Sequence, residues 1–319
     1  MIVVLGASGY VGRAFVTELQ SRGLDFQSLS RRECDYTRYA ELKAFLSGAG
    51  ASFLVNAAGF TGKPNVDACE TAREETLLGN AILPQTIACV CESLDIPWFH
   101  VSSGCIYDGA WLARDGERRI VRDLNGQQVQ DGLAVGPEAL HGFTEEDEPN
   151  FSFSSPPCSF YSGSKALAER ALAGFGNAYI GRLRIPFDHL DNARNFLSKL
   201  LRYPKVYNNV NSISHRGDFV KAALDLLLNG APAGIYNMTN PGFVSTRDVV
   251  SRLQPRLAPD RKFEFWENDE TFYREAAVAP RSNCILDTAK LNAAGISMRP
   301  VDEAIDDAIS RWQWEEAST

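Results

Sequence analysis

The opening residues constrain this chain more than any others. Ile2 to Leu5 is a short apolar run, rich in β-branched residues, that stops at Gly6-Ala-Ser-Gly9-Tyr-Val-Gly12. Ala14, Phe15, Val16 and Leu19 then recur at helical spacing until Gly23, so the segment reads as strand, tight turn and helix. Glycines in such a turn let the backbone approach a pyrophosphate, and the N-terminus of the following helix favours its charge. Gly6, Ser8, Gly9, Tyr10, Val11 and Gly12 are therefore candidate dinucleotide contacts.

The same rhythm continues. Phe26 to Ser30 reads as a second strand followed by a helical stretch through Leu46, and Phe53 to Ala58 is almost wholly apolar, as a strand buried on both faces would be. Thr76 to Leu94 reads as a long helix and Trp98 to Ser103 as a fourth strand. Strands alternating with helices predict an α/β fold with a doubly wound parallel sheet of Rossmann type, covered on both sides. Later strands are expected at Ala178–Leu183, Lys205–Tyr207 and Gly234–Met238, with helices at Ser162–Ala173, Asn195–Leu201, Asp218–Leu228 and Val244–Leu253. Past Asp188 the rhythm loosens and Pro, Asn and aromatic residues thicken, which suits a smaller C-terminal substrate-binding region over the carboxyl ends of the strands. The expected division is residues 1–187 for the dinucleotide, with 205–240 returning to that domain, and 188–204 with 241–319 for the substrate. Gly109 to His141, carrying Arg114, Arg118, Arg119 and Arg122 among several glycines, reads as an insertion or flap, either a solvated loop or a substrate lid.

Composition removes several classes of function. A net charge of −8 over 319 residues, with no Lys/Arg run, gives no footprint for nucleic acid. The longest uncharged run, Ala44 to Gly62, is broken by Ser47, Gly48, Gly50 and Asn56, so no membrane span is expected. The N-terminal apolar run has no basic flank and meets Gly6 too early for a secretory signal. Seven cysteines without a C-x-x-C pair suggest free thiols in a reducing compartment, with cytoplasm as the expectation. His100, His141, His189 and His215 share no ligand spacing, so no metal site is expected.

Two further sites carry chemistry. Near the end of the second strand, where an NAD-preferring protein places an acid, this chain has Ser30, Arg31 and Arg32. Two guanidinium groups suit a 2′-phosphate, so NADP(H) is expected rather than NAD(H), with Glu33 directly after them weighing the other way. Tyr161-Ser-Gly-Ser-Lys165 sets a phenol and an ammonium one helical turn apart. An ammonium beside a phenol favours the phenolate, so the pair is expected to relay a proton near neutral pH, with Ser103 on the preceding strand.

The spacing G-x-x-G-x-x-G together with Ser103, Tyr161 and Lys165 resembles the short-chain dehydrogenase/reductase superfamily. That resemblance implies Tyr161 as general acid/base, Lys165 on the nicotinamide ribose and Ser103 on the substrate carbonyl. It also implies Asp35 as the adenine-facing acid and Asn56-Ala57-Ala58-Gly59 along the cofactor, with Asn80 counted among the cofactor-facing residues. Val55–Asp67, Ser103-Gly-Cys-Ile-Tyr107, Asn192–Lys199, Gly234–Gly242, Ala279–Cys284 and Leu286-Asp-Thr288 further resemble the nucleotide-rhamnose epimerase/reductases, which are similar to dTDP-4-dehydrorhamnose reductases. The resemblance spans most of the chain and lapses over Gly109–His141. It implies 3,5-epimerisation and then 4-reduction of a UDP- or dTDP-4-keto-6-deoxyhexose. Epimerisation next to a ketone needs a second acid/base, for which Cys105 and Lys199 are the matching residues. Gly104, Asn195, Asn211 and Arg281 are the remaining candidate substrate contacts, Asn195 sharing a helix face with Lys199 and Arg281 near the diphosphate. The alternatives are a single-activity 4-ketoreductase or epimerase on another nucleotide sugar, and a non-catalytic NADP-binding regulatory subunit. Oligomeric state stays open, with a homodimer as one option.

Overall fold

The computed structural model describes residues 1–114, 116–126, 129–130, 132, 134, 136 and 139–315. Its strands are β1 (Ile2–Leu5), β2 (Phe26–Leu29), β3 (Phe53–Asn56), β4 (Trp98–Ser103), β5 (Ala110–Arg114), β6 (Glu117–Val121), β7 (Leu140–His141), β8 (Ala178–Leu183), β9 (Lys205–Val206), β10 (Val210–Asn211), β11 (Gly234–Asn237), β12 (Val244–Ser245) and β13 (Glu264–Phe265). Six of them form one parallel sheet in the order β11-β8-β4-β3-β1-β2. The strand order reverses at β1, which pairs with β2 on one side and β3 on the other. That switch point is where an open α/β sheet leaves a crevice for a ligand.

The uninterrupted apolar strands are explained by helices on both faces. Ile2 and Val4 of β1 point into a core with Phe15, Phe99 and Phe219, while Val3 and Leu5 point into a second core with Leu42, Leu46, Ile87 and Trp98. The first core is set by helices Tyr10–Ser21 and Arg216–Leu228, and the second by Tyr39–Ala49 and Leu83–Ser93. Phe15, Phe99 and Phe219 pack mutually with ring centroids 5.9 to 6.4 Å apart, in the tilted and edge-on geometries aromatic rings prefer. A third core joins Phe187, Leu197, Leu200 and Ile213 to Val249, Leu253, Ile305 and Ile309 of the C-terminal region.

Several expected elements take a different form. Lys205–Val206 does not rejoin the central sheet; it pairs with β13, because two or three residues of strand pattern carry too little information to specify a partner. Val244–Ser245 is a strand paired with β10, and the helix starts only at Thr246, capped by Ser245 in a capping box with Asp248. The long helix expected from Thr76 starts at Arg73 and is interrupted by a π segment, Leu78–Ile82. The expected insertion, described except at 115, 127, 128, 131, 133, 135, 137 and 138, holds an antiparallel sheet in the order β6-β5-β7. Its inner face buries Leu112, Leu124 and Leu140 with Val210 and Ile285, so its described part is a packed accessory sheet.

Among the described residues no helix is long and apolar enough to cross a membrane, and no cluster of His, Cys, Asp and Glu has the makings of a metal site. All seven cysteines are free.

Candidate active site

The glycine turn closes against the switch point. Gly6 has φ +73°, and a Cβ there would lie 2.5 Å from the Ala58 amide nitrogen, while a Cβ on Gly12 would lie 2.0 Å from the Gly6 carbonyl oxygen. Only glycine fits such contacts. The turn is closed by the Gly9 N–H donating to the Gly6 carbonyl at 3.0 Å. Tyr10 is not a ligand-facing phenol: its hydroxyl donates to Asp188 at 3.0 Å, its ring lies under the Arg216 guanidinium, and burial pushes its pKa far above the ordinary value.

From this turn a cleft of about 780 Å³ runs along the carboxyl edge of the sheet. Gly9, Tyr10, Val11, Ala57, Ala58, Gly59, Asn80, Ser103, Cys105, Tyr161, Lys165, Lys199, Asn211 and Arg281 all line it. Asn80 sits in the π segment, where its side chain holds both polar groups of the Phe60 backbone at 2.8 Å and reaches Ser164 at 3.1 Å. The extra residue of a π turn, common at functional sites, thus fixes the loop after Ala57-Ala58-Gly59.

Tyr161 and Lys165 lie on helix Phe160–Leu172, capped by Ser159, whose hydroxyl accepts from the Ser162 N–H at 3.0 Å. Lys165 is buried and its Nζ donates to the Val101 carbonyl at 3.1 Å. A Cβ on Gly59 would lie 3.8 Å from that Nζ. Burial pushes Lys165 down to about 8, and Glu169 one turn further on opposes the shift. The phenol behaves otherwise than expected. Burial, with Cys105 nearby, raises Tyr161 above the ordinary phenol value, and the Ser103 hydroxyl only partly offsets this. Burial is the larger cause, and the groups nearest the phenol are Ser103 and Cys105. Tyr161 is therefore held in its neutral form.

The strand ends at Ser103, and residues Gly104–Ile106 form a 3₁₀ turn capped by the Ser103 hydroxyl, which accepts from the Cys105 N–H at 3.2 Å. Cys105 thus lies beyond the strand, yet the turn still brings its thiol to the cleft. Gly104 turns the other way, toward Leu286 and Arg184, and does not line the cleft. The thiol meets a guanidinium that sequence reading passed over. Arg184, 1% exposed, donates to the Cys105 Sγ at 3.4 Å and to the Ser282 hydroxyl at 3.1 Å, and also contacts Asn211. It precedes Ile185, a β-branched residue at φ +39°, a strained backbone of the kind that clusters at functional sites.

On the opposite segment, Lys199 projects from helix Phe196–Arg202, and burial with Arg194 and Arg281 lowers its pKa. Arg281 is held by Asp67 through two bonds of 2.7 Å, so its charge is already paired. Asn195 does not reach the cleft. It is the helix cap, accepting from the Leu197 N–H at 3.0 Å and giving its amide hydrogens to Asp188 and Leu190. Beyond Lys199 the cleft ends in aromatic rings: Tyr207 and Phe272 stack at 4.0 Å with planes 6° apart, and Lys205 lies over Trp266.

The other end of the cofactor region is an open lip. Ser8, Ser30, Arg31 and Arg32 are exposed there, and Asp35 is half-buried. Asp35 accepts from the Thr37 N–H and hydroxyl, and Arg31 lies over the Tyr36 ring.

A glycine turn at the switch point of a doubly wound sheet, with Ser103, Tyr161 and Lys165 gathered at its carboxyl edge, has the architecture of an extended short-chain dehydrogenase/reductase. Residues 1–313 match the family model described as the RmlD substrate binding domain, and the chain belongs to this dTDP-4-dehydrorhamnose reductase-like family. It is 31% identical to a trifunctional UDP-glucose 4,6-dehydratase/UDP-4-keto-6-deoxy-D-glucose 3,5-epimerase/UDP-4-keto-L-rhamnose reductase of Arabidopsis thaliana over 95% of this chain and 41% of that protein. It thus spans about two fifths of that longer relative. It is also 29% identical to a bifunctional dTDP-4-dehydrorhamnose 3,5-epimerase/dTDP-4-dehydrorhamnose reductase of the same plant, over 95% of this chain and 90% of the relative. Among solved structures, the UDP-rhamnose synthase of Acanthamoeba polyphaga mimivirus shares the fold with a TM-score of 0.81 at 22% identity, covering 97% of this chain and 98% of that one.

Proposed function

We propose that this chain is an NADP(H)-dependent enzyme that epimerises and then reduces a UDP- or dTDP-linked 4-keto-6-deoxyhexose. The observation that carries the reading is the single cleft shared by a Ser103, Tyr161 and Lys165 set and by two further proton-transfer groups, Cys105 and Lys199. The glycine turn, whose backbone packs too closely at Gly6 and Gly12 to admit a Cβ, leads into the N-terminus of the first helix, which suits a dinucleotide pyrophosphate, and Arg31 and Arg32 suit a 2′-phosphate. Lys199, Arg281 and the aromatic end formed by Tyr207, Trp266 and Phe272, which fits a nucleobase, supply much of the substrate side.

When bound, NADPH supplies the hydride for reduction at C4. The neutral Tyr161 phenol gives its proton to the C4 oxygen, and Ser103 holds that oxygen in place. Lys165 keeps a positive charge beside Gly59. In the preceding step the Cys105 sulfur, as thiolate, takes a proton from a carbon flanking the ketone, leaving its electron pair in an enolate. The Arg184 guanidinium against Sγ stabilises the thiolate charge. Lys199, whose proton is loosened by burial and by Arg194 and Arg281, gives a proton on the other face.

Mass spectrometry of the product formed in D₂O with NADPH and either 4-keto-6-deoxyglucose nucleotide tests this directly. The reduced sugar should carry solvent deuterium at both flanking carbons. Cys105→Ala should abolish the deuterium uptake while still reducing a pre-epimerised ketone; equal loss of both activities counts against the division of labour.

A further inference from the structure

At the exposed lip, one contact opposes the arginines beside it. Ser30 follows β2 directly and so stands next to the end of β1 and the Gly6 turn, since Leu29 is in register with Leu5. Its backbone N–H and its hydroxyl both donate to the same oxygen of Glu33, at 2.9 and 2.7 Å. These two donors, at the end of the second strand, are the ones a 2′-phosphate placed there would draw on. A carboxylate resembles that phosphate in charge and in its acceptor oxygens. The hydrogen bonds from Ser30 hold the Glu33 carboxyl below its ordinary value, so it is anionic at neutral pH.

We propose that Glu33 is an internal competitor for the 2′-phosphate and thereby sets the choice between NADPH and NADH, an inference that rests on the dinucleotide reading of this site. To seat a 2′-phosphate the Glu33 side chain gives up the Ser30 donors and turns away, leaving them with Arg31 and Arg32 to the phosphate. With the non-phosphorylated cofactor it keeps the Ser30 bonds, and its second oxygen is free to accept from the ribose 2′-hydroxyl, since a carboxylate takes about four hydrogen bonds in all. The chain thereby accepts both cofactors, with the preference fixed by one exposed side chain that touches neither Tyr161 nor Lys165.

The test is fluorescence titration of the whole chain with NADPH and with NADH, without sugar substrate. Glu33→Gln removes the competing charge and should tighten NADPH by about 2- to 5-fold, the modest size expected of exposed charge pairs, while weakening NADH. Ser30→Ala should weaken NADPH and leave NADH within about twofold, because the phosphate loses a donor while the backbone N–H of residue 30 still holds Glu33. An NADPH-to-NADH affinity ratio that stays fixed in Glu33→Gln overturns the proposal and leaves the dinucleotide reading standing. Failure of the unmodified chain to bind either dinucleotide overturns both.

Discussion

Lys165 has a charge held in a nearly closed setting, and burial loosens its proton. With a value pushed down to about 8 by burial, its ammonium is lost as pH rises through that point. NADPH affinity should therefore fall as pH rises through about 8, and Lys165→Met should lack this step in the same titration. The effect on folding runs the other way. Between about 8 and the ordinary 10.5 the unfolded chain holds a proton the folded site has released, so this group's cost to stability shrinks as pH rises. At this scale the sequence was most legible where chemistry demands a spacing. Tyr161 and Lys165 had to share a helix face, and the cleft brings Ser103 and Cys105 to them. Arg184 was not legible, because its role depends on Cys105, Asn211 and Ser282, which come from three distant segments. A signal did exist: Arg182, two residues earlier in an otherwise apolar buried strand, had to find a partner, and it finds Glu169 at 2.8 Å. Asn195 illustrates the converse, a polar residue at a promising spacing consumed by capping a helix.

Among elements, the glycine turn was readable because backbone contact leaves no alternative residue. Gly12→Ala would drive a Cβ to 2.0 Å from the Gly6 carbonyl. Overpacking of this kind costs on the order of 1–3 kcal/mol, and the urea midpoint of this variant should fall accordingly. An unchanged midpoint would show that the first helix can shift away from the turn. The π segment at Leu78–Ile82 was not readable, since Gly79 and Asn80 weaken a helix without specifying an added residue, and the bonds of Asn80 to Phe60 and Ser164 come from distant segments. Nor was the pairing of β9 with β13, which joins segments some sixty residues apart through two residues each. The insertion shows the same limit: its glycines and arginines suggested a flap, whereas Leu112, Leu124 and Leu140 give it an apolar inner face.

Across the whole molecule, the central sheet, four of whose six strands lie within the first 103 residues, meets the C-terminal region at a few shared side chains. Asp188 is the chief of these. One of its oxygens accepts from Tyr10, from Asn195 and from the Leu190 N–H, and its other oxygen pairs with Arg216. Tyr10 belongs to the cofactor turn, and Asn195 caps the helix that bears Lys199. Tyr10→Phe and Asn195→Ala are therefore not independent changes, although their sequence positions are far apart. Residues that share a partner show interaction energies of about 0.5–3 kcal/mol. The four-protein cycle, followed by urea unfolding, should depart from additivity by at least about 0.5 kcal/mol. Losses that sum would mean each donor is replaced without consequence for the other. A carboxylate with two obligations also limits how the chain can vary. A substitution in the dinucleotide turn is filtered by the substrate helix before it is filtered by catalysis, so these two regions of the sequence are expected to change together or not at all.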